Sequence, residues 1–565
     1  MKLHFRYIYL DCLTILLCLG LALSSCSNNY TVPNDATPNG RTVKLYPDYT
    51  DVTVPPNIAP LNFIVKSNGS EYVVKITGST SSELISGGSE DGVVQFDSTE
   101  WRSMLAKNKG NDLSVTVFEN NSGQWHSYNQ FKIHVAAENI DPYLSYRLIE
   151  PGYELYRQLG LYQRNLTNFE QKVIYENNRA ENSKEDHCVN CHNFQNYGGK
   201  RMLFHVRANM GGTIIAKDGK IEKVNFKNDS ILASAVYPSW HPTKNYIAFS
   251  SNRTGQAFHM LSTDKIEVLD YGSDLLFYNA DTHEVSNIIK GEEAMETFPA
   301  WSPDGTKLYF CQAHTPEMVG MTDSVKMDYV ISHYKDLHYN IMSVTFDDKT
   351  KKFGDPQIEV DCASMGKSAT VPRISPDGKY LLFTLADYGQ FHIWHKSSDQ
   401  WVKNLATGEI YPLKAANSNN VDSFHSWSSN GRWFVFSSRR DDGSFTRPYI
   451  AYFDKNGQSR KAFMLPQEDP TQNLMLLKSY NVPELTREAI SYTPEEFKEV
   501  IYNQNPGVEI KYKELRTKEQ IDHQRLLDQQ AFIVNKNNGT QFTNDSIPHR
   551  KNSDATTGAS PKSYK

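Results

Sequence analysis

Two cysteines and a histidine stand within five residues of one another, in the segment Cys188-Val189-Asn190-Cys191-His192. Two thiols separated by two residues and followed by an imidazole form the C-x-x-C-H pattern, which is typical of c-type haem attachment. In that chemistry both sulfurs form thioether bonds to the porphyrin, and the imidazole becomes the proximal ligand of the iron. The pentad therefore predicts a covalent haem c held by Cys188 and Cys191, with His192 as the proximal ligand.

Zinc and dithiol chemistry are the alternatives for the same two thiols. A zinc site would need a second closely spaced Cys/His pair, and only Cys311 and Cys362 remain outside the N-terminal segment. A dithiol redox pair or a disulfide is also compatible with the spacing, although no thioredoxin-like pattern surrounds it. Cys311 and Cys362 lie in strand-like contexts and are either bridged or two buried free thiols.

Met210 is the candidate for the distal haem ligand. An electron-transfer haem takes Met or His on its distal side. Met210 is followed by Gly211 and Gly212, which permit a close approach of the backbone to a porphyrin. The alternative is a methionine that fills the core.

The N-terminus has the pattern of an exported protein. Lys2 and Arg6 precede a short apolar run at residues 13–23, which predicts a secretory signal over residues 1–25. Residues 23–26 (Leu-Ser-Ser-Cys) resemble a bacterial lipobox, and the resemblance implies cleavage before Cys26 and diacylglycerol on its sulfur. An ordinary secretory peptide is the alternative.

Lipidation of Cys26 would attach the protein to a membrane surface through a polar tether at residues 26–40. The tether begins without acidic residues, which favours the outer membrane, facing the periplasm. Export also agrees with haem c, which is attached outside the cytoplasm. The net charge of −6 argues against a nucleic-acid partner.

The chain of 565 residues is long enough for two or three domains, and 12% aromatic residues with many turn formers favour β structure. Residues 41–137 alternate as short strands separated by turns, which predicts a small β-sandwich of immunoglobulin-like type, serving as a spacer or docking module. Residues 138–195 read as a helical or irregular connector that carries the pentad.

A repeated pattern follows the pentad. Each copy ends in a turn and continues into an apolar strand, as in Trp301-Ser302-Pro303-Asp304-Gly305. Copies begin at Tyr237, Phe298, Val371 and Phe424. These motifs resemble the TolB-type repeats of periplasmic proteins, and the resemblance implies a β-propeller of about five to six blades over residues 196–470.

A fainter copy at residues 199–207 precedes these four. It predicts that the pentad lies next to the strand at residues 202–206, on the rim of the first blade. Residues 471–565 are expected to be helical, near 494–501 and 518–530, and then disordered. No hydrolase motif such as G-x-S-x-G or H-E-x-x-H occurs, and catalysis is uncertain.

The sequence as a whole predicts a mainly β, exported, lipid-anchored monohaem c-type cytochrome. Its function would be one-electron transfer to or from an envelope partner that binds the propeller. One alternative is a TolB-like protein-binding scaffold with a structural or sensory haem. The other is a haem-assisted oxidoreductase that acts in the propeller channel.

Overall fold

The computed structural model describes residues 30–150, 159–177, 185–260, 262 and 264–537, together with the backbone of 555–557. The predicted signal peptide and the predicted lipidation site Cys26 lie outside the described residues. Within the described part of the chain, no helix combines the length and apolar character needed to cross a bilayer.

The N-terminal domain consists of two sheets and one helix. One sheet has seven strands and the other has three, β2-β4-β7. Two pairings are parallel, β1 with β9 and β3 with β10. The strands are β1 Thr37–Pro38, β2 Leu45–Tyr46, β3 Val52–Val54, β4 Phe63–Val65, β5 Glu71–Gly78, β6 Glu83–Ser89, β7 Val93–Val94, β8 Asp112–Asn121, β9 Gln124–Ser127 and β10 Phe131–Val135.

Helix α1, Ser98–Lys107, begins at Asp97, whose carboxylate accepts hydrogen bonds from the backbone of Thr99 and Glu100. The helix buries Trp101 and two neighbours in the domain core. The domain is thus β structure with an added helix, and its assignment to the immunoglobulin-like type stays a prediction.

Strands β11 to β35 form the rest of the β structure. In chain order they are β11 Tyr143–Ile149, β12 Gly160–Asn165, β13 Gln171–Glu176, β14 His187–Phe194, β15 Met202–Ala208, β16 Gly212–Lys217, β17 Lys220–Asn225, β18 Ala235–Trp240, β19 Tyr246–His259, β20 Ile266–Asn279, β21 Glu284–Ile289, β22 Ala294–Trp301, β23 Lys307–His314, β24 Tyr339–Asp347, β25 Lys352–Phe353, β26 Gln357–Val360, β27 Ser368–Ile374, β28 Tyr380–Ala386, β29 Asp399–Asn404, β30 Ile410–Pro412, β31 Asp422–Trp427, β32 Trp433–Ser438, β33 Arg447–Tyr452, β34 Phe463–Met464 and β35 Ser479–Thr486.

These strands form six sheets, which we call ring sheets 1 to 6. Ring sheets 1 to 5 begin with β14, β18, β22, β27 and β31, and ring sheet 6 has the order β13-β12-β11-β35. The strands β14, β18, β22, β27, β31 and β35 contact one another in succession, and β35 contacts β14 again. A closed ring of sheets joined through their inner strands is the architecture of a β-propeller. The prediction of a mainly β, propeller-like protein is therefore confirmed.

Ring sheet 6 joins the two ends of the ring. Its three outer strands come from residues 143–176, while its inner strand is β35. The predicted helical connector at 138–195 is therefore wrong, because this segment forms β11 to β14, and the ring extends beyond residues 196 and 470. The segment is rich in polar residues, which favoured a helical or irregular connector. Gln163 is buried, and its amide donates to Thr486 at 3.1 Å, a partner distant in the sequence.

The predicted turns of the repeat are confirmed. The backbone N–H of Gly305 donates to Ser302 at 2.9 Å, and that of Gly378 donates to Ser375 at 2.8 Å. Both glycines have left-handed φ values, 72° and 71°.

The remaining elements cover the ring. Helix α2, Asp323–Ser332, lies between β23 and β24, and α3, Gln472–Met475, precedes β35. Helix α4, Pro494–Asn503, begins at a capping box formed by Thr493 and Glu496, and its Phe497 packs on Phe204 of ring sheet 1 at 5.1 Å. Strands β36 (Val508–Glu509) and β37 (Lys511–Tyr512) extend ring sheets 1 and 2, helix α5 spans Lys518–Asn537, and β38 (Ala555–Thr557) pairs with β19.

Candidate functional site

Each of the six inner strands carries a β-bulge at the same place. The pairing register breaks there in every ring sheet. One residue of each bulge has a left-handed φ, a conformation that is rare for residues other than glycine and costly for valine. These residues are Cys191 (49°), Tyr237 (47°), Phe298 (52°), Val371 (53°), Phe424 (50°) and Val482 (49°). The sixfold repetition indicates that the bulge is a shared feature of the inner strands.

The bulges fill the centre of the ring with apolar side chains. All of these residues except Cys191 join one apolar cluster, which we call the apolar plug. The rings of Tyr237 and Phe298 lie 4.2 Å apart, and Phe298 of ring sheet 3 approaches Phe424 of ring sheet 5 at 6.1 Å. The plug therefore separates the central channel into two ends.

The pentad lies on the inner strand of ring sheet 1. Strand β14 pairs with β15, with Cys188 opposite Arg207 and Val189 opposite Val206. The predicted proximity of the pentad to the strand at residues 202–206 is confirmed. Its predicted position on the rim is wrong, because β14 faces the channel.

The two thiols of the pentad occupy different environments. Both are free. Cys188 is 7% exposed and packs in the apolar core of ring sheet 1, where burial raises the pKa of its thiol. Cys191 is only half-buried. A neutral buried thiol is a poor nucleophile, so Cys191 is the accessible member of the pair.

His192 faces a carboxyl group of ring sheet 6. Its Nε2 atom is buried without a hydrogen-bond partner and lies 4.0 Å from Oε2 of Glu484. Burial, together with the charge of Arg147, lowers the pKa of His192 to about 3. Burial raises the pKa of Glu484 to about 8. Near neutral pH the imidazole of His192 is therefore uncharged.

This arrangement does not fit a haem on His192. An imidazole–metal bond is about 2 Å long, and the flat porphyrin would lie at that distance from Nε2. The Glu484 carboxyl group, 4.0 Å from Nε2, leaves no room for the macrocycle between them. Among the residues that the structure describes, no group of three or more His, Cys, Asp and Glu side chains could hold a metal ion. The interpretation of the chain as a metal-binding cytochrome with iron on His192 is therefore corrected, while covalent attachment of haem c to the two thiols stays a sequence prediction.

Met210, the predicted distal ligand, is a buried core residue in this structure. It is 6% exposed and belongs to the same apolar cluster as Cys188. Its sulfur accepts a long contact from the Asn505 side-chain amide at 4.0 Å. These surroundings correspond to the core-filling alternative, and its role as a ligand stays a prediction.

Two guanidinium groups flank the pentad. Arg147 reaches from β11 to β14, where its Nη1 atom donates to the backbone oxygen of Val189 at 3.0 Å, and its Nε atom is buried without a partner. Burial lowers the pKa of Arg147, and the nearby Arg207 lowers it further. Within the described chain, neither arginine forms an ion pair with a carboxylate at 4.0 Å or less. We call this end of the channel the pentad mouth, formed by Arg147, Cys188, Cys191, Arg207 and Tyr237.

The other end of the channel is lined by the last residue of each bulge. These residues are Asn193, Ser239, Ala300, Arg373, Ser426 and Glu484, and all but Ala300 keep some accessible surface. We call this end the vestibule.

Three vestibule side chains connect neighbouring ring sheets. Oε1 of Glu484 accepts from the backbone of Phe194 at 3.1 Å, and Oδ1 of Asn193 accepts from the backbone of Trp240 at 2.9 Å. The hydroxyl of Ser239 accepts from the backbone of Trp301 at 3.2 Å. Oε1 of Glu484 is occupied by its hydrogen bond with the backbone of Phe194, so Oε2 is the carboxyl oxygen that faces His192.

Arg373 carries the positive charge of the vestibule. Its Nη1 atom donates to the backbone oxygen of Pro372 at 2.8 Å. In the described residues no carboxylate lies within 4.0 Å of its guanidinium. Burial lowers its pKa, while Glu484 opposes that shift. Burial also raises the pKa of the nearby Tyr197 phenol.

Sequence reasoning missed Arg147, Arg373 and Glu484. A signal existed for the last two, since Val371-Pro372-Arg373 and Val482-Pro483-Glu484 share an X-Pro pattern with Tyr237-Pro238 and Phe298-Pro299. Arg147 had no such signal, because it comes from a different ring sheet and reaches the pentad only in the folded chain.

Comparisons with known proteins leave the function open. No family model matches the sequence, and no curated protein matches it. An oligogalacturonate lyase structure solved with manganese is 13% identical, with a TM-score of 0.31, over 56% of this chain and 72% of that one. A putative 6-phosphogluconolactonase from Bacteroides uniformis is 14% identical, with a TM-score of 0.29, over 69% and 94%. The Cps50 (Swd1) β-propeller domain from Myceliophteria thermophila is 10% identical, with a TM-score of 0.28, over 68% and 97%.

Proposed function

We propose that this protein is a binding protein built on a TolB-like propeller of six blades, which takes an anionic ligand at the pentad mouth. The immunoglobulin-like N-terminal domain would act as its spacer. Arg147 carries the proposal. Buried charges in proteins are normally paired, because an isolated buried charge is costly. A half-buried guanidinium without a carboxylate partner is the group that a ligand carboxylate or phosphate would neutralise.

The surroundings of Arg147 support a ligand that enters from solvent. Arg207 is exposed, and Cys191 and Tyr237 are half-buried beside it. The apolar plug lies behind this surface, since Tyr237 belongs to the plug as well as to the mouth. A ligand would therefore bind at the mouth and would not pass through the ring.

The test is isothermal titration calorimetry of the purified protein with succinate and, separately, inorganic phosphate. Arg147→Met should weaken binding of the preferred anion at least about tenfold, since a hydrogen bond to a charged group contributes about 1.5–3 kcal/mol. The matched control is Arg253→Met, which removes a surface arginine paired with Asp323. Equal affinity in all three proteins, or no binding of either anion to the wild type, would overturn the proposal.

The sequence also predicts export, lipid anchoring at Cys26, an outer-membrane location facing the periplasm and a protein partner in the envelope. These stay predictions. One-electron transfer does so as well. A visible absorbance spectrum of protein exported with a haem c maturation system separates the two functions. A covalent porphyrin on the pentad would occupy the mouth and overturn anion binding there.

A further inference from the structure

We propose that the vestibule is a second binding site, independent of the pentad mouth, and that it takes a small carboxylate between Arg373, His192 and Glu484. Three observations support it. They concern an uncompensated charge, an unpartnered buried nitrogen, and accessible surface deep in the ring.

The uncompensated charge is the guanidinium of Arg373. Among the described residues it has no ion pair, and the one hydrogen bond of its Nη1 goes to the backbone of Pro372. A guanidinium presents a planar set of donors that matches a carboxylate with two parallel hydrogen bonds. A ligand carboxylate would supply the missing partner.

The unpartnered nitrogen is Nε2 of His192. His192 is 4% exposed, and no hydrogen-bond partner satisfies this atom. The facing Oε2 of Glu484 is 4.0 Å away, which is too far for a hydrogen bond. Buried polar atoms are nearly always hydrogen-bonded, so Nε2 of His192 is open to a hydrogen bond with a molecule in the vestibule, whether water or a ligand.

Solvent access comes from the ring of last bulge residues. Asn193, Ser239 and Glu484 keep accessible surface although they belong to inner strands. The hydroxyl of Ser426 is buried without a hydrogen-bond partner. The amide of Asn193 and the hydroxyls of Ser239 and Ser426 add neutral hydrogen-bonding partners on the side of the ring that carries Arg373. One cation surrounded by neutral polar groups suits a ligand with one carboxylate and few other charges.

The plug makes the vestibule independent of the pentad mouth. In the pairing of β14 with β15, Arg207 lies opposite Cys188, which precedes the bulge of β14. Arg373 and Glu484 follow the bulges of β27 and β35. The apolar plug lies at the bulges themselves. Each end can therefore be altered without removing the charged groups of the other.

The experiment measures broadening of the resonance of ¹³C-labelled acetate, and separately of lactate, by the full-length protein. The wild type should broaden the resonance, and Arg373→Met should weaken the apparent affinity at least tenfold. Arg207→Met, which alters the mouth alone, should leave it unchanged. Arg373→Lys keeps the charge but loses the paired donors, and it should fall between the wild type and Arg373→Met.

Equal broadening by the wild type and by folded Arg373→Met would overturn the vestibule site. Absence of broadening by the wild type with both probes would also overturn it. Loss of binding in Arg207→Met with retention in Arg373→Met would place the binding at the pentad mouth, which overturns the vestibule proposal while supporting the proposed function.

Discussion

Burial distinguishes the two thiols of the pentad more than their spacing does. Cys188 packs with Met202 and Phe204 in the core of ring sheet 1, whereas Cys191 takes the bulge position and keeps accessible surface. Thiol reactivity follows access and the fraction of thiolate. Burial works against both at Cys188, because it removes the sulfur from solvent and raises its pKa.

We therefore expect Cys191 to react with iodoacetamide in the folded protein much faster than Cys188. Mass spectrometry of peptides from the labelled protein measures each site separately. Cys311 and Cys362, both 0% exposed, should react only after unfolding and serve as internal controls. Equal labelling of Cys188 and Cys191 in the folded state would contradict the difference in burial. If a porphyrin were bound through thioethers, neither thiol would react.

At the scale of elements, the sequence reveals structure that local contacts form, but not structure that depends on long-range contacts. The Ser-Pro-Asp-Gly turns were predictable, because Ser302 and Gly305 satisfy a turn within four residues. The left-handed conformation of Val371 was not, since it opposes the local preference of a β-branched residue. The pentad illustrates both cases. Its pairing with β15 followed from the repeat, while its orientation toward the channel depends on the other five inner strands.

The turns provide a matched test of packing between ring sheets. Gly305 and Gly378 have φ values of 72° and 71°, so alanine at either position meets the same backbone penalty, about 1–2 kcal/mol. A Cβ at Gly305 would lie 2.2 Å from Nε2 of His241, whereas a Cβ at Gly378 meets no atom within 4 Å. Gly305→Ala should therefore reduce the free energy of unfolding by about 1–3 kcal/mol more than Gly378→Ala. Urea denaturation measures the difference, and equal losses would show that His241 moves aside without cost.

At the scale of the whole molecule, the ring depends on strands from both ends of the chain. Strand β11 pairs with β12 on one side and with β35 on the other, with Ser145 opposite Glu484. Contacts between such distant segments leave no local trace in the sequence, which explains why residues 143–176 were not recognised as part of the ring. Glu484 links this closure to the vestibule, because it joins β35 to ring sheet 1 through the backbone of Phe194.

Removing β35 together with the residues that follow it should therefore cost the molecule much more than removing those following residues alone. A chain ending at Lys478 loses the inner strand of ring sheet 6, which exposes the edge of β11 and leaves the apolar plug without Val482. A chain ending at Arg487 lacks the same later elements but keeps β35 and every other ring strand, so it is the matched control. We expect the control to keep a cooperative thermal transition and the chain ending at Lys478 to lose it, both measured by circular dichroism. A cooperative transition at the same midpoint in the shorter chain would mean that the ring closes without β35, and that Glu484 and Val482 are dispensable for the channel they line.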